Sequence, residues 1–345
     1  MYSLTYKLEK IKASSFKIDY QNQVFINFDN HIGFFDGEDM KKIDKSFDNE
    51  KITIVKDKDV WIAEASTGKS FIYSGGKYKQ SVNYIATISS RFINYFSTEE
   101  YFYPTIYLNG DFSISYYARV LNRDYSIVDV IAENLGYKHI RLVIDDNSFV
   151  SCGIDKIGVF DFDNNKIWRF KYSDFIKSDK AILHSQILSF NGKLFFVIDG
   201  NDNRGLFVLD VKTGRVLKKF EGLCYELFQD YEYIYTTHFE NILYRIDAKT
   251  LEIEEWDCHE LIKSKGFESI HDHRCDIVNG KFFFTQSLGD NRAKLGVLDW
   301  EKKELVYKHD FEPKNGAIGS IHVSETRIFV HTQDNILHIF KEELP

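Results

Sequence analysis

A short polar corner between two apolar runs recurs along this chain, and its spacing limits the folds open to it. Residues 199–203 (DGNDN) separate KLFFVI from GLFVLD after Arg204. Asp290-Asn291-Arg292 precedes AKLGVLD, Glu240-Asn241 precedes ILYRID, Asp334-Asn335 precedes ILHIF, Asp29-Asn30 precedes HIGFFD and Asp155-Lys156 precedes IGVFD. Asp and Asn accept left-handed backbone angles and bond their own backbone, so such corners suit tight hairpins. Two weaker copies complete the series: Ser66-Thr67-Gly68 between VWIAEA and KSFIYS, and Asn109-Gly110-Asp111 between YFYPTIYL and FSISYY. Centred on residues 30, 67, 110, 155, 203, 241, 291 and 335, the corners lie 37, 43, 45, 48, 38, 50 and 44 residues apart.

The alternative for the first corner is a calcium loop, since Asp199, Asn201 and Asn203 alternate. An EF-hand loop starting at Asp199 needs Gly at its sixth place and Glu at its twelfth. Those places hold Arg204 and Asp210, and strand-like runs flank the loop where helices belong. The corner therefore reads as a turn.

Each corner is followed by a second hairpin: LFVLDVKTGRVLKKF, LYRIDAKTLEIEEW, IGVFDFDNNKIWRF and KLGVLDWEKKELVY share one pattern. A further strand pair lies upstream, as in AILHSQILSF–NGK–LFFVID and HRCDIV–NGK–FFFTQS. The unit is thus four short strands, and a four-stranded repeat of this length predicts a β-propeller. Each such sheet has two faces to bury, which only stacking on its neighbours achieves. The expected fold is all-β, with eight blades by turn count, or seven if two units merge within residues 14–90. The last unit supplies IGSIHV, RIFVHT and ILHIFK but no fourth strand, while SLTYKLEK is spare at the start. That strand is expected to complete the last blade and close one domain spanning 1–345.

Composition fits. Phe (30) and Tyr (21) are abundant, as strands favour, and 43% hydrophobic residues suffice for a core. No apolar run approaches the ~18 residues of a membrane span, and MYSLTYKLEK does not read as an export signal. Cys152, Cys224, Cys258 and Cys275 are scattered, as expected of reduced thiols in a cytoplasmic protein. The net charge of -8 argues against a nucleic-acid partner. Such mild acidity is common among soluble bacterial proteins.

GLFVLDVKTGRVLKKFEG and NILYRIDAKTLEIEEW resemble the repeats of the quinoprotein-like (pyrroloquinoline quinone-type repeat) β-propeller superfamily. The shared pattern is an apolar strand ending in Asp, then Lys-Thr-Gly or similar, then a strand often carrying Trp. The resemblance covers 157–172, 205–222, 242–258 and 294–311 well and the rest loosely. It implies propeller architecture; enzymes, assembly scaffolds and binding proteins all use such repeats. The superfamily's quinone enzymes are generally exported, and many carry adjacent cysteines beside the cofactor. This chain has no Cys-Cys pair, and the repeat Trp recurs only at Trp168 and Trp256. No quinone or other cofactor is expected.

Three motifs have structural readings. ASTGKSF (65–71) lacks the first Gly of a phosphate loop and precedes a strand-like run, so it reads as a hairpin turn. His259-Glu260-Leu261-Ile262-Lys263 has Lys where a zinc-protease helix has its second His. HELIKS and DFIKS (174–178) read as short helical turns between units, and DVIAENLGYK (129–138) also has helical character.

ESIHDHRCD (268–276) carries the remaining chemistry. On a strand, His271, His273 and Cys275 would share one face, which makes them metal-ligand candidates, although the spacing is no standard zinc pattern. Aligned on the shared NGK, His184-Ser185-Gln186 and His271-Asp272-His273-Arg274 both stand where a connection leads into a first strand. In a propeller that place is the rim of the central channel. His184, Gln186, His271, His273 and Arg274 are therefore the candidate contact residues. Two readings compete. One is a non-catalytic intracellular protein-binding propeller, in its specific form an immunity or inhibitor protein that neutralises a toxin or enzyme. The other is a hydrolase or lyase, with or without metal, working at the channel mouth.

Overall fold

Alternating aromatic and β-branched residues between turn formers make strands, and here they do so throughout. The structure, a computed structural model, describes all residues except 1, 13–15, 19–23, 28–30, 36, 38–39, 47–50, 57–58, 88–97, 110, 112, 114–115, 134–138, 164, 202, 239–240, 272, 287–292 and 344–345. Its strands form eight antiparallel sheets. The chain divides into two compact units: Met1–Ser14 with His184–Val208 and Leu217–Pro345, and Ser15–Leu183 with Leu209–Val216.

The second unit holds sheets 1 to 4. Sheet 1 pairs Phe16–Ile18, Val24–Asn27, His31–Phe35 and Met40–Ser46 in chain order, and sheet 2 pairs Lys51–Lys56, Asp59–Glu64, Lys69–Ser74 and Lys77–Val82. Residues 16–82 thus make two complete sheets, which decides for eight blades. Sheet 3 uses Tyr84–Thr87, Tyr101–Phe102 with Thr105–Leu108, Tyr116–Leu121 and Ile127–Glu133. Pro104 splits its second strand because it has no N–H to give the ladder. Ile127–Glu133 corrects the helical reading of 129–138: the sheet needs a fourth strand, Val130 pairs with Ala118, and Asp129 forms an ion pair with Arg119. Residues 134–138 lie outside the described residues. Sheet 4 pairs His139–Asp145, Ser148–Cys152, Lys156–Asp161 and Lys166–Lys171.

Sheet 5 comprises Ile182–Leu183 with Leu188–Phe190, then Lys193–Asp199, Arg204–Asp210 and Val216–Glu221. The first unit holds sheet 6 (Phe228–Asp230, Tyr233–His238, Ile242–Asp247, Ile253–Asp257) and sheet 7 (Cys275–Val278, Lys281–Gln286, Lys294–Asp299, Glu304–Asp310). Sheet 8 has Ile318–Val323, Arg327–Thr332 and Leu337–Glu342, and its fourth strand is Tyr2–Leu8, antiparallel to Leu337–Glu342. The spare first strand therefore completes the last sheet, as expected.

The corners are turns. Gly200 N–H donates to the Asn203 carbonyl (3.0 Å), Asn201 has φ +72° and its N–H donates to Asp199 Oδ1 (2.8 Å). Asn241 (φ +62°) and Asn335 (φ +63°) repeat the left-handed residue. The corner at 28–30 and that at 290–292 lie outside the described residues. In sheets 4, 5 and 6 the second hairpin is closed by the Asp that ends the third strand. Asp210 Oδ1 accepts from Thr213 N–H (2.8 Å) and hydroxyl (2.7 Å), Asp247 Oδ1 from Lys249 N–H (2.7 Å) and Thr250 N–H (2.9 Å), and Asp161 from the Asn165 side-chain amide at Oδ2 (2.9 Å) and Asn165 N–H at Oδ1 (2.7 Å). Those bonds hold all three carboxyls below the usual carboxylate range.

The two repeat tryptophans join successive sheets. Trp168 Nε1 donates to the Val211 carbonyl (2.7 Å), and its ring fills the space over Gly214, where a Cβ would come within 2.7 Å of it. Trp256 of sheet 6 meets Trp300 of sheet 7 edge-on at 5.7 Å. Between sheets, apolar clusters such as Phe195, Leu206, Leu227 and Ile246, or Phe282, Phe284, Leu298 and Trp300, exclude water. Each such side chain contributes roughly 1.5–3 kcal/mol. Helix α1 (Tyr172–Ile176) and helix α2 (His259–Ser264) are the expected helical turns between sheets. No described helix is long and apolar enough to cross a membrane.

Candidate functional site

In the first unit, the stretches that open sheets 5, 6 and 7 bring polar side chains together, and backbone bonding explains how. His184 interrupts the first strand of sheet 5: its N–H donates to the Val197 carbonyl (2.9 Å), but Val197 N–H bonds the buried Ser185 hydroxyl (3.0 Å). A side chain thus replaces a ladder carbonyl, and the strand breaks there. His271 holds the matching place in sheet 7. Its N–H donates to the Thr285 carbonyl (2.9 Å), while Thr285 N–H (3.2 Å) and hydroxyl (2.9 Å) donate to the Arg274 carbonyl. His184 and His271 are therefore structural equivalents, with one more residue between His271 and the NGK turn.

The His184 and His273 rings lie 6.3 Å apart, and the His271 and His273 rings 6.2 Å apart. His273 N–H donates to His271 Nδ1 (3.1 Å), so Nε2 carries the proton of neutral His271. Glu226, from the opening stretch of sheet 6, places Oε1 3.6 Å from His273 Nδ1, with side-chain exposures of 20% and 40%. Three successive sheets therefore contribute to one cluster. Gln186 is occupied elsewhere, since its Nε2 donates to the Leu227 carbonyl and ties sheet 5 to sheet 6. Arg274 is half-buried, and its carbonyl holds the Thr285 pair.

The reading of His271, His273 and Cys275 as one strand face is corrected: the strand starts at Cys275, so both histidines precede it. Cys275 is 6% exposed and packs in the apolar cluster with Phe282 and Phe284. Among the described residues, no group of three or more His, Cys, Asp or Glu side chains is arranged to hold a metal ion.

Two residues of the site carried no signal beyond turn or core. Glu226 stands in the unremarkable segment CYELF. Asn241, 4% exposed in the corner of sheet 6, accepts Ile270 N–H at Oδ1 (2.9 Å) and meets His259 Nδ1 through Nδ2 (3.2 Å). Its carbonyl accepts from Cys258 N–H (3.2 Å) and thiol (2.7 Å). The connection that carries His271 and His273 is therefore fastened at both ends of residues 258–270. Its recurrence as a left-handed turn residue marked Asn241 for backbone reasons; the work of its side chain is non-local.

No family model matches the chain, and no curated protein matches its sequence. Among solved structures it is similar to BamB from Moraxella catarrhalis (TM-score 0.58, 11% identity, 99% of this chain and 100% of that chain covered). It is similar to Saccharomyces cerevisiae Sqt1 (TM-score 0.62, 12% identity, 99% of each chain) and to the computationally designed Ika8 protein (TM-score 0.58, 10% identity, 97% of this chain and 98% of that one). At such identities the likeness is one of fold, and with eight antiparallel sheets, four-stranded once the split strands of sheets 3 and 5 are each taken as one, that fold is the β-propeller.

Proposed function

We propose that this chain is a non-catalytic, cytoplasmic protein-binding propeller of quinoprotein-like kind, and that it holds its partner with the opening stretches of sheets 5 to 7. In its specific form it is an immunity or inhibitor protein that neutralises a toxin or enzyme. The observation that carries this reading is the convergence of His184, Glu226 and His273 from three successive sheets. Their connections are anchored by buried Ser185 and Asn241, so the polar groups are largely ordered before a partner arrives, which lowers the entropy lost on binding. Connections of different length and sequence over a regular scaffold are also where recognition concentrates.

The test is affinity capture from the native host with the purified chain, followed by titration of the captured protein against a His184→Ala/His273→Ala variant. A stoichiometric partner whose affinity falls roughly tenfold or more supports the reading. Undiminished affinity moves the interface elsewhere on the molecule. One observation favours a second reading: the 3.6 Å approach of Glu226 to His273 is a carboxylate–imidazole pair of the kind that moves protons in hydrolases and lyases. Turnover abolished by Glu226→Gln would decide for it.

A further inference from the structure

Three histidines surround the seat of the first strand, on elements independent of the cluster above. We propose that this seat is an acid-released latch: protonation of His309 and His338 frees segment 2–12 from the last sheet and bares the edge of Leu337–Glu342.

The geometry is specific. His331, 4% exposed, bonds the Ile11 carbonyl through Nε2 (2.6 Å), and its Nδ1 is pressed against Gly319, where a Cβ would lie 3.0 Å away. His338, 1% exposed, is the cross-strand partner of Lys7. Its Nε2 lies 3.0 Å from the Thr332 hydroxyl, which itself donates to Asp334 Oδ1 (2.7 Å). Thr332 therefore accepts the Nε2 proton of neutral His338. Its Nδ1 is buried and has no hydrogen-bond partner among the described residues, so a second proton has nothing to bond. The His309 ring stands edge-on to Phe311 (4.8 Å) and Phe340 (4.9 Å), and Phe340 pairs with Leu4 of the first strand.

Charged groups surround the seat. Lys7 on the first strand, with Glu9 and Lys10 beyond it, faces Asp310 at the end of sheet 7, Glu312 and Lys314 after that sheet, and Asp334 from the corner of sheet 8. Burial, then Lys7, pushes His338 down to about 4, against the raising effect of Asp334. Burial and Lys7 likewise hold His309 below its usual range, opposed by Asp310. Lys314 and Lys7 keep the Glu312 carboxyl below the usual range, and the Lys7–Glu312 pair (3.3 Å) spans the seat. A depressed histidine stabilises the closed seat fully above its ordinary 6.5, and that contribution is lost as pH falls through the folded value. For His338 alone this amounts to roughly 300-fold in the closed-to-open ratio. The freed edge then offers unpaired N–H and C=O groups to another strand.

Hydrogen exchange on the full chain at pH 7.5 and 4.5, corrected for the pH dependence of intrinsic exchange, tests the latch. Peptides covering 2–12 and 337–342 are expected to exchange at least roughly tenfold faster at pH 4.5, relative to the strands Tyr233–His238 and Ile242–Asp247 as internal control. H338F keeps an aromatic ring beside Phe311 but cannot charge, and should remove most of that rise. Should H338F fail to fold at pH 7.5, H309F carries the same comparison. Equal acceleration of latch and control peptides in the unmodified chain, or an undiminished rise in the folded variant, would overturn the proposal.

Discussion

His331 and His338 in sheet 8 are 4% and 1% exposed, whereas 40% of the His273 side chain at the opening of sheet 7 meets water. The two regions use one side chain in opposite ways. In sheet 8 the imidazoles replace apolar core residues on inward-facing strand positions, and in each a bond at Nε2 fixes the tautomer. At the openings of sheets 5 and 7 they stand on backbone breaks, where the ladder bonds are made by the Ser185 hydroxyl and the Arg274 carbonyl and the His271 imidazole holds only the N–H of residue 273. The difference teaches that His331 and His338 are structural on a paired ladder, whereas His184 and His273 are available beside an interrupted one.

The largest separation between the regions should come from truncation. His331→Ala loses the bond to the Ile11 carbonyl and leaves a cavity in a closed core, with an expected loss of ~3 kcal/mol in unfolding free energy by denaturant titration. A loss no greater than that of an exposed site would break the distinction. Next, Asn241→Ala strips Ile270 N–H of its acceptor in a buried place, and the expected loss is about 2–3 kcal/mol. Here the two regions meet, since a buried amide supports an exposed cluster. Crystallography or amide exchange should show residues 258–274 loosened while sheet 8 is unchanged.

Carboxylates extend the comparison. Asp276, on the first strand of sheet 7, accepts Ile277 N–H (2.9 Å) and Val323 N–H (3.1 Å). Burial nevertheless pushes its carboxyl up to about 6, with the Asp230 charge adding to the rise and the two N–H groups opposing it. A raised carboxyl keeps its proton in the folded chain after the unfolded chain has released it. The stability so gained is complete below the ordinary 3.8 and lost as pH rises through 6. Asp276→Asn cannot titrate, so its stability should gain about 2 kcal/mol on the unmodified chain between pH 4.5 and 7.5. A difference that does not change with pH would show that Asp276 titrates alike in both states. This trend runs opposite to that of His338, so the two variants separate what a single pH profile would merge.

The architecture was legible because its determinants are local. An Asp or Asn corner, the Asp that closes the next hairpin and the interval between corners are all written within a few residues, and the missing fourth strand of the last unit pointed to the first. Residues 129–133 misled for the opposite reason. Apolar and acidic residues there fit either period, and the demand for a fourth strand in sheet 3, which no window of sequence contains, decided the matter. At the site, the NGK alignment located His184 and His273, but the register of His184 with His271 follows from which carbonyl each N–H reaches. Glu226 was invisible because one carboxylate in an ordinary segment has no pattern. His331 and His338 did leave a trace: in RIFVHT and ILHIF they occupy or adjoin the apolar phase of a strand, which marks a histidine as buried.

The smallest expected effect is the sharpest test of the distinction. His273→Ala removes a side chain whose contacts include the His184 and His271 rings at 6.3 and 6.2 Å and a carboxylate at 3.6 Å across partly exposed surface. Such surface interactions are worth ~0.5 kcal/mol or less, so unfolding free energy should be nearly unchanged. The backbone of residue 273 still bonds His271 Nδ1, which keeps the connection in place. A variant that is as stable as the parent yet binds a captured partner less tightly assigns the imidazole to recognition. If stability instead falls as far as in His331→Ala, the cluster belongs to the core like the histidines of sheet 8, and the opening stretches lose their claim as the binding surface.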